Sequence, residues 1–152
     1  MITRNFLCPI SGKLKTIEEV DDVVFSDRIM GDGFAIQIDG KDIVSPIDGK
    51  VAGVFPTGHA VCIEGENGIQ VLIHIGLETH HIKKKVFEMH VEKGQDVKAG
   101  QLLVTADYKL IRKSAKSDLC PIVFLNKETV KVLKLNQSVR SGENGIIEIE
   151  YN

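Results

Sequence analysis

Two of the five histidines are spaced so that they could meet. His59 precedes the apolar run Val61-Cys62-Ile63-Glu64, and His74 closes Ile69-Gln70-Val71-Leu72-Ile73-His74-Ile75. The loop Gly65-Glu66-Asn67-Gly68 lies between the runs. If Glu64 and Ile69 close this loop as an antiparallel hairpin, His59 falls directly opposite His74, with Cβ atoms about 4.5–5.5 Å apart. If Asn67-Gly68 is instead a two-residue turn, His74 opposes Val61 and the histidines become diagonal neighbours on one face. A register between these two would send them to opposite faces. Two facing imidazoles can bind a metal, though zinc needs a third or fourth ligand, for which Glu78, His80 and His81 are near in sequence. They can also move a phosphoryl group. A neutral imidazole nitrogen is a fair nucleophile near pH 7, and a second imidazole can donate a hydrogen bond to the phosphoryl oxygens as charge develops.

The elements that position this pair read as strands punctuated by glycine. Val71, Ile73 and Ile75 alternate with Leu72, His74 and Gly76, so the first three should face the core, and Gly76 should leave open space beside His74. Phe34–Lys41 alternates and should turn at Asp39-Gly40, and Ile43–Val51 should turn at Asp48-Gly49. Short apolar runs between such turns predict an all-β chain, a compact antiparallel sandwich or barrel with one or two short helices. The helical stretches are expected within 107–117, where Leu110, Ile111 and Ala115 share a face, and within 127–133. Cys8-Pro9-Ile10-Ser11-Gly12-Lys13 echoes Ser45-Pro46-Ile47-Asp48-Gly49-Lys50, which suggests a duplicated β-unit. Val91–Leu103, with Gly94 and Gly100 about Val97, looks like the hammerhead turn of biotinyl and lipoyl carriers, without their modified-lysine motif.

Composition narrows the classes. The 152 residues suit one domain, 1–152, with 43% hydrophobic and 26% charged residues. Nineteen basic and 21 acidic side chains nearly cancel, which argues against nucleic acid. No apolar run reaches the length of a membrane span, and Met1–Phe6 is no signal peptide. Cys8, Cys62 and Cys120 are odd in number and widely spaced, as expected of reduced thiols in the cytoplasm.

From about Cys8 to Ile149 the chain resembles the IIA component, glucose family, of the bacterial sugar phosphotransferase system. The resemblance is carried by Val20–Ile36, by Ser45-Pro46-Ile47-Asp48-Gly49-Lys50-Val51, by Thr57-Gly58-His59-Ala60, and by Val71–Thr79. It implies a compact duplicated β-sandwich and a phosphocarrier. His74 matches the histidine phosphorylated by HPr, and His59 the second histidine, which supports transfer. Thr57 matches the threonine that orients the second ring. The phosphoryl group then passes to a cysteine of a IIB domain, which phosphorylates the incoming sugar. No cofactor and no metal is required. Val24, Phe25, Ile29, Met30, Phe55 and Leu72 match the apolar surface offered to partners, and Asp22 and Glu78 the acids that face arginines on HPr. From the residues alone, Val23-Val24-Phe25 reads equally as a core strand.

The chain departs from the family beside the site. Glu78 stands where aspartate is usual, His80-His81 replace an apolar-polar pair, and Lys83-Lys84-Lys85 replaces a glycine- and asparagine-rich stretch. These changes bear on partner specificity more than on chemistry. The match begins within the first ten residues, so no amphipathic N-terminal tail and no direct membrane insertion are expected. Two other classes compete. A regulatory module would bind permeases or enzymes according to its phosphorylation state. A LytM-like zinc peptidase would need an H-x-H pair that the chain lacks, although adventitious zinc could bridge His59 and His74.

Overall fold

A computed structural model describes residues 1–151, apart from the side chain of Asn67. Its strands are β1 (Ile2–Thr3), β2 (Ile10–Thr16), β3 (Gly33–Val44), β4 (Gly49–Val54), β5 (Ala60–Gly65), β6 (Gln70–His74), β7 (Phe87–Met89), β8 (Asp96–Val97), β9 (Leu102–Ala106), β10 (Leu119–Phe124), β11 (Thr129–Val132), β12 (Ser138–Val139) and β13 (Ile147–Glu150). The two α-helices, α1 (Val23–Ser26) and α2 (Tyr108–Ser114), are short. The chain is therefore mostly antiparallel β, as its alternating apolar runs predict. One large sheet runs β12-β2-β3-β10-β6-β5-β4-β8, with β9 paired to β3 and β7 to β9, and a small sheet runs β1-β13-β11. No helix among the described residues is long and apolar enough to cross a membrane.

The core follows from alternation. Val71, Ile73 and Ile75 are fully buried in the main cluster with Phe6, Phe34 and Phe124. The opposite face of the same strands is not open: Leu72, Ala60, Val123 and Ala35 pack with Phe25, Ile17, Val20 and Leu77 in a second, smaller cluster. His74 stands at the edge of that second cluster, with its ring 5.3 Å from the ring of Phe25.

The internal echo is a true structural repeat. Cys8 donates its N–H to Glu143 O (2.7 Å) and accepts from Gly142 N (2.8 Å). Ser45 does the same with Gln101 O (2.8 Å) and Gly100 N (2.7 Å). The Cys8 thiol donates to Ile10 O at 3.0 Å, as the Ser45 hydroxyl donates to Ile47 O at 2.7 Å. Leu14 exchanges backbone bonds with Asn136 and Gln137, as Val51 does with Gly94 and Gln95. Gly94-Gln95-Asp96-Val97-Lys98-Ala99-Gly100-Gln101 and Asn136-Gln137-Ser138-Val139-Arg140-Ser141-Gly142-Glu143 are thus equivalent turns, each burying its valine.

Three local expectations are corrected. Residues 127–133 hold strand β11 rather than a helix: Thr129, Val130 and Val132 are β-branched, β13 pairs with them, and Asp32 Oδ2 accepts from Val130 N at 2.8 Å. Asp39-Gly40 does not turn the chain, because β3 runs through it with a register shift against Ile10–Gly12 of β2. Val23-Val24-Phe25 is a helical turn, since Asp22 Oδ1 caps it by accepting from Val24 N at 3.0 Å. The helix expected within 107–117 is α2, capped by Asp107, which accepts from Leu110 N at 3.2 Å.

Candidate functional site: a histidine pair at the end of a hairpin

The hairpin of β5 and β6 does not have either expected register. Ala60 lies opposite His74, Val61 opposite Ile73 and Glu64 opposite Gln70, with a 3₁₀ turn at Glu66–Gly68. Strict alternation in that register would part the two histidines. They nevertheless meet, with ring centroids 5.1 Å apart and ring planes at 69°. The reason is that His59 precedes β5 and sits in the turn that Gly58 makes at φ +80°. Its carbonyl still accepts from Ile75 N at 2.7 Å, while its ring lies 5.3 Å from the ring of Phe55. A Cβ at residue 58 would stand 2.8 Å from Phe87 Cβ, so both the conformation and the space require glycine there.

Each ring has one nitrogen engaged. His74 Nδ1 is 2.8 Å from the carbonyl oxygen of Gly76, which can only accept. His74 therefore carries its proton on Nδ1 when neutral, and the lone pair is on Nε2. His59 Nδ1 bonds Thr57 Oγ1. When the threonine hydroxyl donates, the proton of His59 sits on Nε2, ready for an acceptor. Gly76 is not the open space expected from its sequence. It has φ +70°, and a Cβ there would meet Ile111 Cγ2 at 3.0 Å and Ser117 O at 3.3 Å. What it supplies is the turn that aims its carbonyl at His74, while its own N–H donates to Cys120 Sγ at 3.2 Å.

Burial disfavours the charged form of both rings. It pushes the His74 pKa below the ordinary histidine value, and the charge of His59 works the same way. The Gly76 hydrogen bond and Asp22 oppose that shift only in part. Burial also lowers the pKa of His59, with His80 adding to the effect. The pair opens on a cleft of about 250 Å³ lined by Asp22, Leu77, Glu78, Thr79, His80 and Lys116. Glu78 lies at φ +50° with its carboxylate 3.8 Å from Lys116 Nζ. Among the described residues, no three His, Cys, Asp or Glu side chains gather to hold a metal ion, so a zinc-peptidase site lacks its third ligand.

The other residues singled out by sequence divide. Val24, Ile29, Met30 and Phe55 are exposed, Ile29 at 68%. Phe25 and Leu72 are not surface residues: they lie beneath the others in the second cluster, where β-sheet alternation and the capped α1 turn them inward. Arg28, bonded to Glu18 and to Asp32 Oδ1 (2.8 Å), ties down the segment that bears Ile29 and Met30. His81 Nε2 donates to Ser114 O at 2.9 Å, and His90 Nε2 pairs with Thr105 Oγ1 at 2.7 Å, so neither joins the cleft. Cys8 and Cys120 are buried thiols whose pKa burial pushes up to about 12, and all three cysteines are free. Lys116, the Gly76 carbonyl and Cys120 were not legible as site groups. Lys116 reaches the cleft through an isolated bridge between Leu77 and Ser117, for which no short motif exists.

Similarity to known proteins agrees with this geometry. Residues 4–130 match the family described as phosphoenolpyruvate-dependent sugar phosphotransferase system, EIIA 1. The chain is 45% identical over 133 residues to a PTS system glucose-specific EIIA component of Bacillus cereus, covering 88% of this chain and 81% of that one. It is 42% identical over 137 residues to a glucose-specific EIICBA component of Streptococcus pneumoniae, covering 90% of this chain and 19% of that longer protein. Among solved structures, the glucose permease IIA from Mycoplasma capricolum superposes with a TM-score of 0.86 at 36% identity, over 97% of this chain and 96% of that one. With the family matched over most of its length and the fold shared throughout, the chain belongs to the EIIA 1 family of the phosphoenolpyruvate-dependent sugar phosphotransferase system.

Proposed function

We propose that the chain is a phosphocarrier in which His74 Nε2 takes the phosphoryl group from phospho-HPr and gives it to a IIB cysteine. The observation that carries this is the tied pair of rings: His74 fixed through Nδ1 by the Gly76 carbonyl, its ring centroid 5.1 Å from that of His59. In the first step the donor's N–P bond breaks and the Nε2–P bond forms, while the His74 proton stays on Nδ1. In the second step a thiolate of the IIB domain attacks phosphorus, an S–P bond forms, and Nε2 recovers its lone pair. His59 donates its Nε2 proton as a hydrogen bond to a phosphoryl oxygen in both steps, and Thr57 holds it in that tautomer. The exposed Val24, Ile29, Met30 and Phe55, with Asp22 and Glu78 at the rim, form the docking face for both partners. The reaction calls for no cofactor and no metal, and the working place is the cytoplasm. By analogy with its relatives, the sugar served is glucose.

Incubation with enzyme I, HPr and phosphoenolpyruvate should place one acid-labile phosphate on the chain. His74→Gln should take up none, and normal labelling of that variant would refute the assignment. His59→Gln should be labelled but pass the group on poorly.

A further inference from the structure

We propose that Lys116 is the cation that holds the phosphoryl group on His74, exchanging Glu78 for the phosphoryl oxygens when the group arrives. This rests on the phosphocarrier reading. Of the residues that line the cleft, Lys116 alone carries a fixed positive charge, against the carboxylates of Asp22 and Glu78. Burial disfavours a positive charge on either ring of the pair. A phosphoryl group on Nε2 places up to two negative charges on its oxygens, and a proton kept at Nδ1 offsets only one of them. Three anionic groups would then share a small cleft, and one ammonium must answer them.

Lys116 is built for that exchange. Its backbone N–H donates to Leu77 O at 3.1 Å, and Leu77 N donates to Ser117 O at 3.0 Å. Its backbone is thereby fixed beside the turn whose Gly76 carbonyl aims His74. Its side chain is not fixed. The Glu78 carboxylate lies 3.8 Å from Nζ, beyond hydrogen-bond distance, and both side chains are about half exposed at 43% and 57%. Such a pair is weak, so turning away from it costs little. A phosphoryl dianion is the better acceptor. A lysine also suits a group that must leave again, because it binds as a point charge without the two-point grip of arginine.

The test is a ³¹P NMR titration of the phosphorylated protein, which needs no partner at the moment of reading. Lys116→Gln should raise the midpoint of the phosphohistidine ionisation by about half to one pH unit, a three- to tenfold weaker hold on the deprotonated form. Lys116→Arg should restore it close to the wild-type value. The equilibrium with the phosphohistidine donor should move toward the donor by the same factor. An unchanged midpoint in Lys116→Gln overturns the proposal, even if KM for the donor rises, since that result makes Lys116 a docking residue only. If the wild-type protein takes no label at all, the phosphocarrier reading itself falls and this inference with it.

Discussion

Replacing Gly76 by alanine tests the turn that aims His74, and Gly68 supplies its control. Both glycines have left-handed backbones, Gly76 at φ +70° and Gly68 at φ +76°. An alanine in that region costs roughly 1–2 kcal/mol at either place, less a few tenths regained from a stiffer unfolded chain. The two differ in what the new methyl would meet. At Gly68 nothing lies within 4 Å. At Gly76 it would stand 3.0 Å from Ile111 Cγ2, 3.3 Å from Ser117 O and 3.4 Å from Thr79 Cγ2. Ile111 is fully buried and Ser117 is held by Leu77, so neither yields easily. Crowding of this kind adds about 1–3 kcal/mol. Gly68→Ala should therefore lose about 1 kcal/mol and Gly76→Ala about 2–4 kcal/mol in urea unfolding. The second change should also move the Gly76 carbonyl, loosening the His74 tautomer by about 1 kcal/mol, or roughly fivefold in population, as ¹⁵N NMR of the imidazole would report. Equal losses at the two glycines would refute the crowding. An unaltered His74 tautomer in Gly76→Ala would refute the role given to the carbonyl.

Acid sensitivity should follow the histidine pair. Burial lowers both pKa values in the folded state, so the folded protein binds fewer protons than the unfolded chain, and the stability this represents is present above about pH 6.5 and lost as pH falls below it. Between pH 7.5 and pH 5, wild-type unfolding free energy should fall more than that of His74→Gln, and equal slopes would contradict the burial of a neutral ring. Ile29→Asp, on the most exposed part of the apolar face, should raise KM for phospho-HPr about tenfold while leaving thermal stability within about 0.5 kcal/mol, because the side chain supports no core. Unchanged KM would remove Ile29 from the docking face.

The sequence carried the strands and the pair of rings, but not the reason the rings meet. Period-two alternation placed Val71, Ile73 and Ile75 inward because a half-turn per residue is local geometry. It could not set the register of β5 against β6, which depends on a five-residue connection closed between Gly65 N and Ile69 O at 2.8 Å. The expected face-to-face pairing came from a register the hairpin does not have. The rings meet because His59 lies outside the ladder. Long-range bonds were likewise invisible: Asp32 accepting from Val130 decides that 129–132 is a strand, across almost a hundred residues. The family resemblance places Leu72 and Phe25 at the surface, yet a second cluster on that face of the sheet buries them. The turn 136–143 repeats 94–101 in plain sequence, with Asn136 at φ +62° where Gly94 has φ +91°, and the glycine-to-asparagine change hid it.

That repeat separates the frame of the molecule from its chemistry. Val97 and Val139 occupy equivalent positions, are only 3% and 2% exposed, and belong to the same main cluster. Neither touches the second cluster that supports His74, and His59, His74, Asp22 and Lys116 all lie outside the two repeated turns. Truncating either valine to alanine removes the equivalent of two methylene groups from a packed core and should cost about 2–3 kcal/mol, cavity included. Because the two sites are equivalent, the two losses should agree within about 1 kcal/mol. Because the site stands on the other face of β6, phosphoryl uptake at His74 in the folded fraction should be unchanged in both variants. Urea unfolding measures the first expectation, and initial labelling rates at a temperature well below either midpoint measure the second. A variant that kept its stability but lost labelling would join the repeat to the site, and the division between a duplicated frame and an unduplicated active face would have to be abandoned.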